Sequence, residues 1–383
     1  MPARSAGGCM PISISTVPAE DSPNGRGVAG LPAEVPTQTS ARPHTEHTAE
    51  LREPFSRRPL SYQRTLDRAL VHRRSVSEVL LTDAHKVDPD TFAVAAHLPD
   101  NHLFYSDLAG RDSGAPDPLL LAEIIRQTGI ATAHLFYGVP RDWSFIFHAM
   151  ELDARRLRPA VTRPDGEKGD VRAGGDAGQR DHLYELHVDV GVRDLFRRRG
   201  QLGGYTLDLV FTCGGDTVAR ATARQSFVPR PTWRALRSRR RDRPVAHHRP
   251  SAPASATAVG RRDISNVVVN MPFQSEAGPA CILIIDQRHR TLFDHPLDHV
   301  PGMLSIEAAR QAAVLLGARP SVGPGPPDLR FAWMSAEFDG FLELDVPVAV
   351  HVAAPGPDRP QLWRAEFRHL GDPAVLGRVG VSW

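Results

Sequence analysis

Cysteine is scarce in this chain, with only Cys9, Cys213 and Cys281 among 383 residues. An odd, scattered set excludes a disulfide framework and offers no Cys-x-x-Cys pair, which fits a reducing cytoplasm. No apolar run approaches the ~18 residues of a membrane span, and the start lacks the charged, apolar and small-residue succession of a secretory leader. A cytoplasmic protein without membrane contact is therefore expected. Lysine is nearly absent (Lys86 and Lys168), so arginine carries the positive charge. The net charge is only +2, which excludes a general polyanion binder, and no nucleic-acid partner is expected. There is no phosphate-cradling glycine loop, dinucleotide fingerprint or G-x-S-x-G elbow, and neither a cofactor nor a metal is expected.

What is present has globular composition, 41% hydrophobic and 23% charged, over a length sufficient for two cores. Residues 1–59 are rich in Pro, Ser, Thr, Ala and Gly and poor in aromatics, and they read as a disordered extension. A first folded region is expected over 60–232 and a second over 263–383, joined by an Arg/Pro-rich linker at 233–262. In the first, strands are expected at 92–99, 144–152, 183–192, 205–211 and 218–227, with an unstructured loop at 158–181. In the second they are expected at 264–269, 280–286, 332–339, 346–353, 361–367 and 375–381. Each region contains a single long helix. Strands around one buried helix form an α+β unit, an antiparallel sheet wrapped on a helix.

The two helices carry the most informative pattern. The first opens with Asp117 as N-cap and Pro118 at its first position and reads LLLAEIIRQTGIATAHLFYG. The second lies in FDHPLDHVPGMLSIEAARQ, from Phe293 to Gln311. Both are apolar nearly all round, so both should be buried. Each nevertheless carries Glu-x-x-Arg-Gln: Glu123, Arg126 and Gln127 in the first, Glu307, Arg310 and Gln311 in the second. Buried charges are costly unless paired, so these residues are candidates for a site rather than a solvated face. The shared triplet, and the histidine-bearing loop before each helix, indicate an internal repeat.

At these residues the chain resembles the A-factor synthase family of γ-butyrolactone autoregulator biosynthesis proteins. The resemblance rests on FDHPLDHVPGMLSIEAARQ, on L-P-x-x-H-x-F-Y-x-D from Leu98 to Asp107, and on DPLLLAEIIRQTGI from Asp117 to Ile130. It implies a double hotdog fold. It also implies transfer of a β-ketoacyl group from an acyl-carrier-protein thioester to the hydroxyl of dihydroxyacetone phosphate. An oligomer is compatible with this. Hotdog 3-hydroxyacyl dehydratases are more distantly similar: their P-G-x-L-x-x-E is met by Pro301, Gly302, Leu304 and Glu307, but their histidine falls on Phe293. The alternatives are a hotdog thioesterase or dehydratase, or a non-enzymatic protein that binds an acyl chain or butyrolactone.

For acyl transfer, Glu307 is expected to orient or deprotonate the acceptor hydroxyl, with His295 or His299 as partner or alternative base. Amides of the Pro301-Gly302 turn are expected to polarise the thioester carbonyl. Arg310 offers a fork for the phosphate or for Glu307, with Gln311 beside it. Glu123, Arg126, Gln127 and His102 are expected to form either a second site or an acyl-binding scaffold.

Overall fold

A computed structural model of the chain describes residues 58–99, 101–109, 116–157, 185–198, 200–238, 252–318 and 329–383. The expected extension up to residue 57, the 158–181 loop and the middle of the expected linker lie outside the described residues.

Two buried helices organise the rest. Helix α1 spans Pro118–Tyr137; Asp117 caps it by accepting the Leu119 amide at 2.9 Å, and Gly138 closes it at φ 66°. The second, Gly302–Leu315, starts at Pro301, which supplies no side-chain cap. A short exposed helix, α2, occupies Arg230–Ser238, so the 302–315 helix is α3.

Among the described residues twelve strands form one antiparallel sheet: β1 (Leu81–Asp88), β2 (Thr91–His97), β3 (Ser144–Asp153), β4 (Glu185–Arg198), β5 (Gln201–Cys213), β6 (Asp216–Val228), β7 (Phe273–Ser275), β8 (Gly278–Ile282), β9 (Trp333–Phe338), β10 (Val348–Ala353), β11 (Leu362–His369) and β12 (Gly377–Ser382). The spatial order is β1-β2-β4-β5-β6-β3-β9-β12-β11-β10-β8-β7. Read inward from either edge, the strands follow the same sequence of first, second, fourth, fifth, sixth and third. The halves meet at β3 and β9, where Met150 pairs with Ala336. In β4, Leu186, Val188, Val190 and Val192 turn inward and the intervening residues turn out, the period-2 pattern of a sheet with one covered face.

Two expectations need correction. Residues 264–269 are not a strand: Asp263 accepts the Ser265 amide at 2.9 Å and turns Ile264–Asn266 into a 3₁₀ helix. Residues 233–262, expected as linker, hold most of α2 at one end and the fully buried Arg261 at the other. Among the described residues no helix is long and apolar enough to cross a membrane.

Candidate active site

The Glu-x-x-Arg-Gln triplet of each helix sits at the centre of a buried ion-pair network. On α3, Glu307 accepts from Arg310 Nε at 2.9 Å, from Arg261 Nε at 3.0 Å and from the Gln311 amide. Gln311 also accepts the Val268 amide at 2.9 Å and donates to the Asn266 carbonyl at 2.8 Å. On α1, Glu123 accepts from Arg126 Nε at 2.9 Å, from Arg73 Nε at 3.0 Å and from Gln127 at 2.7 Å. Gln127 takes the Leu80 amide at 2.9 Å and donates to the Glu78 carbonyl at 2.7 Å. The glutamate and glutamine of the two networks are held alike, with Arg73 in the place of Arg261.

Each network is completed by the other half of the chain. Arg73 Nη1 donates to the Thr291 carbonyl at 3.0 Å, and Arg261 Nη1 donates to the Phe104 carbonyl at 2.6 Å. Asp294 accepts the Arg74 and Ser75 amides, while Asp107 accepts the Asp263 amide and the Asn266 side chain. The loops that cross over share a His-x-x-x-x-Asp spacing, His102 to Asp107 and His289 to Asp294.

This arrangement revises several expected roles. Glu307 is fully buried, and both its oxygens are committed to guanidinium and amide donors. It therefore anchors the fold and is not presented to a hydroxyl as a base. Glu123 is 1% exposed. Burial opposes its ionisation, but the charges of Arg126 and Arg73 and their hydrogen bonds prevail and hold the carboxyl at about 2. Arg310 is not free for a phosphate, because Asp117 takes its fork at 2.7 and 3.0 Å. His102 accepts the Phe104 and Tyr105 amides at Nδ1 and faces Glu78 at Nε2, 3.4 Å away, so it braces its loop. His289 does the same through the Thr291 and Leu292 amides and Asn266. Gly302 serves close packing, since a Cβ there would stand 2.9 Å from the Phe338 ring.

The two candidate histidines of the FDHPLDH loop part company. His299 bonds Asp298 at 2.7 Å and packs with Trp233 of α2 and with Phe341, away from either network. His295 turns toward the α1 network. Its ring is 31% exposed, Asp294 lies 3.5 Å from Nδ1, and that nitrogen is buried without a hydrogen bond. Burial lowers its pKa, and the charges of Arg126 and Arg73 lower it further, so the ring is neutral near pH 7.

Four more residues of the two networks and their surroundings went unread in the sequence. His134 of α1 donates through Nδ1 to the Val139 carbonyl at 2.7 Å and meets His72 Nε2 at 3.0 Å. Burial pushes His72 down to about 3, with His134, Arg126 and His295 adding to the effect. His72 has φ 50° where the matching turn has Gly260 at φ 68°. A side chain retained in the left-handed region marks a position held by its surroundings. The signal for Arg73 and Arg261 was in the sequence, as VHRRSVSEVLL at 71–81 beside VGRRDISNVVV at 259–269.

The two networks differ in access. Arg310 is 0% exposed and enclosed by Asp117, Leu329 and Phe331. Arg126 keeps 17% of its side chain exposed; its Nη2 reaches the Val71 carbonyl at 3.1 Å, and its Nη1 has no partner among the described residues. The α1 network is thus open, flanked by three histidines, and the α3 network is closed.

The sequence matches the A-factor biosynthesis hotdog domain over residues 56–229 and 244–369. It is 33% identical over 287 residues to a 2-oxo-3-(phosphooxy)propyl 3-oxoalkanoate synthase of Streptomyces virginiae, covering 74% of this chain and 85% of that protein. Proteins of the same name from Streptomyces coelicolor (31%, covering 76% and 82%) and Streptomyces griseus (32%, covering 68% and 79%) are also similar. Together with the antiparallel sheet and its buried helices, these matches show that the chain belongs to the A-factor biosynthesis hotdog family.

Proposed function

We propose that the protein is an acyltransferase that moves a 3-oxoacyl group from a thioester, carried by an acyl carrier protein, to the free hydroxyl of dihydroxyacetone phosphate. The relatives' name describes the product of that reaction, a 3-oxoalkanoate ester of a phosphorylated hydroxyketone. The mirrored strand order supports reading the chain as two hotdog repeats, over 60–232 and 263–383, with Arg261 belonging to the second.

The observation that carries the site assignment is the unequal access of Arg126 and Arg310. The reaction needs a cation for the phosphate and a neutral base for the hydroxyl, and among the described residues only the α1 network presents both. His295, from the second half, accepts the hydroxyl proton as the alcohol oxygen bonds to the thioester carbon. Collapse of the tetrahedral adduct breaks the carbon–sulfur bond, and His295 returns the proton to the departing thiolate. Glu123, Arg73 and Gln127 hold Arg126 in place and do not touch the reacting atoms.

Purified protein incubated with a 3-oxoacyl thioester and dihydroxyacetone phosphate should yield the phosphorylated ester by mass spectrometry. Free 3-oxo acid as the only product would make it a thioesterase, and unchanged thioester would leave a binding protein.

A further inference from the structure

The closed network shows what the open one is built to receive. Asp117 Oδ1 accepts both the Leu119 amide, at the start of α1, and Arg310 Nη1, at 2.9 and 2.7 Å; Oδ2 takes Arg310 Nη2 at 3.0 Å. One carboxylate thus bridges a helix N-terminus to the arginine of the opposite helix, and it is 2% exposed. In the repeat, Asp117 corresponds to Pro301, Leu119 to Met303 and Arg310 to Arg126. Proline brings no carboxylate. Accordingly α3 starts without a side-chain cap, and among the described residues the Gly302 and Met303 amides and Arg126 Nη1 have no partner. Pro301 and Gly302 are also partly exposed, whereas Asp117 is buried.

We propose that the start of α3 and the outer edge of Arg126 form the phosphate subsite, which a phosphate monoester fills as Asp117 fills the matching position at Arg310. The anion would take the Met303 amide on one side and the guanidinium on the other, with the helix dipole favouring its charge. The subsite rests on the acyl-transfer reading for the identity of its ligand. It does not rest on it for its chemistry, which would hold orthophosphate as well.

Pro301→Asp builds the missing carboxylate. It should cap α3 and pair with Arg126, so the thermal midpoint should hold or rise. The dissociation constant for orthophosphate, and KM for dihydroxyacetone phosphate, should rise at least about tenfold, because a fixed carboxylate then competes with the phosphate. Pro301→Asn, whose side chain occupies the Met303 amide without adding charge, should weaken orthophosphate binding less than Pro301→Asp does. Arg126→Lys, which keeps a cation beside Glu123 but withdraws the fork, should weaken orthophosphate binding about tenfold and serves if the aspartate variant does not fold. Unchanged phosphate binding in Pro301→Asp or Arg126→Lys overturns the subsite, as does a wild-type protein that binds neither ligand. Ester formation with an unchanged KM in Pro301→Asp removes the subsite and leaves the acyltransferase. Phosphate binding lost in Pro301→Asp, in a protein that makes no ester, keeps the subsite and removes the acyltransferase.

Discussion

Replacing Glu307 by alanine removes the shared acceptor of two guanidinium groups, Arg261 and Arg310, both 0% exposed. Arg310 would keep Asp117, but Arg261 would keep only the Phe104 carbonyl and the face of the Phe104 ring, 4.5 Å away. Removing one partner of a buried ion pair costs about 3–5 kcal/mol, because the other charge stays buried and uncompensated. A whole domain is stable by only about 5–15 kcal/mol, so the loss is a large fraction of the total. With a urea m-value of about 3 kcal/mol/M, the unfolding midpoint should drop by about 1 to 1.7 M. Equilibrium urea unfolding followed by tryptophan fluorescence and by circular dichroism would measure it. Turnover should fall only in proportion to the folded fraction. A midpoint within about 0.3 M of wild type, combined with abolished turnover in fully folded protein, would refute the reasoning and return Glu307 to the chemistry.

His295→Ala should lower kcat by about 10²- to 10⁴-fold, the usual contribution of a general base, with little change in unfolding midpoint because the ring is partly exposed and its Nδ1 makes no hydrogen bond. Wild-type kcat in that variant would exclude His295 as the base. The folded pKa of Glu123, about 2, lies below its ordinary value of 4.5. Its pairing with Arg126 and Arg73 therefore adds stability that is fully present above about pH 4.5 and is lost as pH falls toward 2. Urea midpoints should fall across that window less steeply in Glu123→Gln than in wild type, and equal slopes would contradict the pairing.

Much of this was legible in the sequence, and what was missed has a common cause. Long apolar runs located α1 and α3, and Asp117-Pro118 marked the start of α1. Asp117 read correctly as a cap, yet its second role depends on Arg310, which folding brings from the other half of the chain. Local propensity carries no record of such a contact. Arg73 and Arg261 were hidden for a related reason, since each lies far along the chain from the glutamate of its own half and meets it only on folding. Arg261 also adjoins an arginine- and proline-rich stretch, whose composition outweighed the repeat of VxRRx[VI]S in reading that segment. Residues 264–269 show the converse error: three valines promised a strand, but the Asp263 side chain closes a turn just before them. His295 and His299 looked equivalent in one loop. Their surroundings separate them, two arginine charges for the first and an aspartate with two aromatic rings for the second.

The central claim is that the open site passes the acyl group to a phosphorylated alcohol and not to water. Thiol release from a 3-oxoacyl thioester, followed at increasing dihydroxyacetone phosphate, tests it most directly. Release that rises and saturates with dihydroxyacetone phosphate, with one phosphorylated ester formed per thiol, is the predicted result. Release at a rate independent of dihydroxyacetone phosphate, with free 3-oxo acid accumulating, would contradict it.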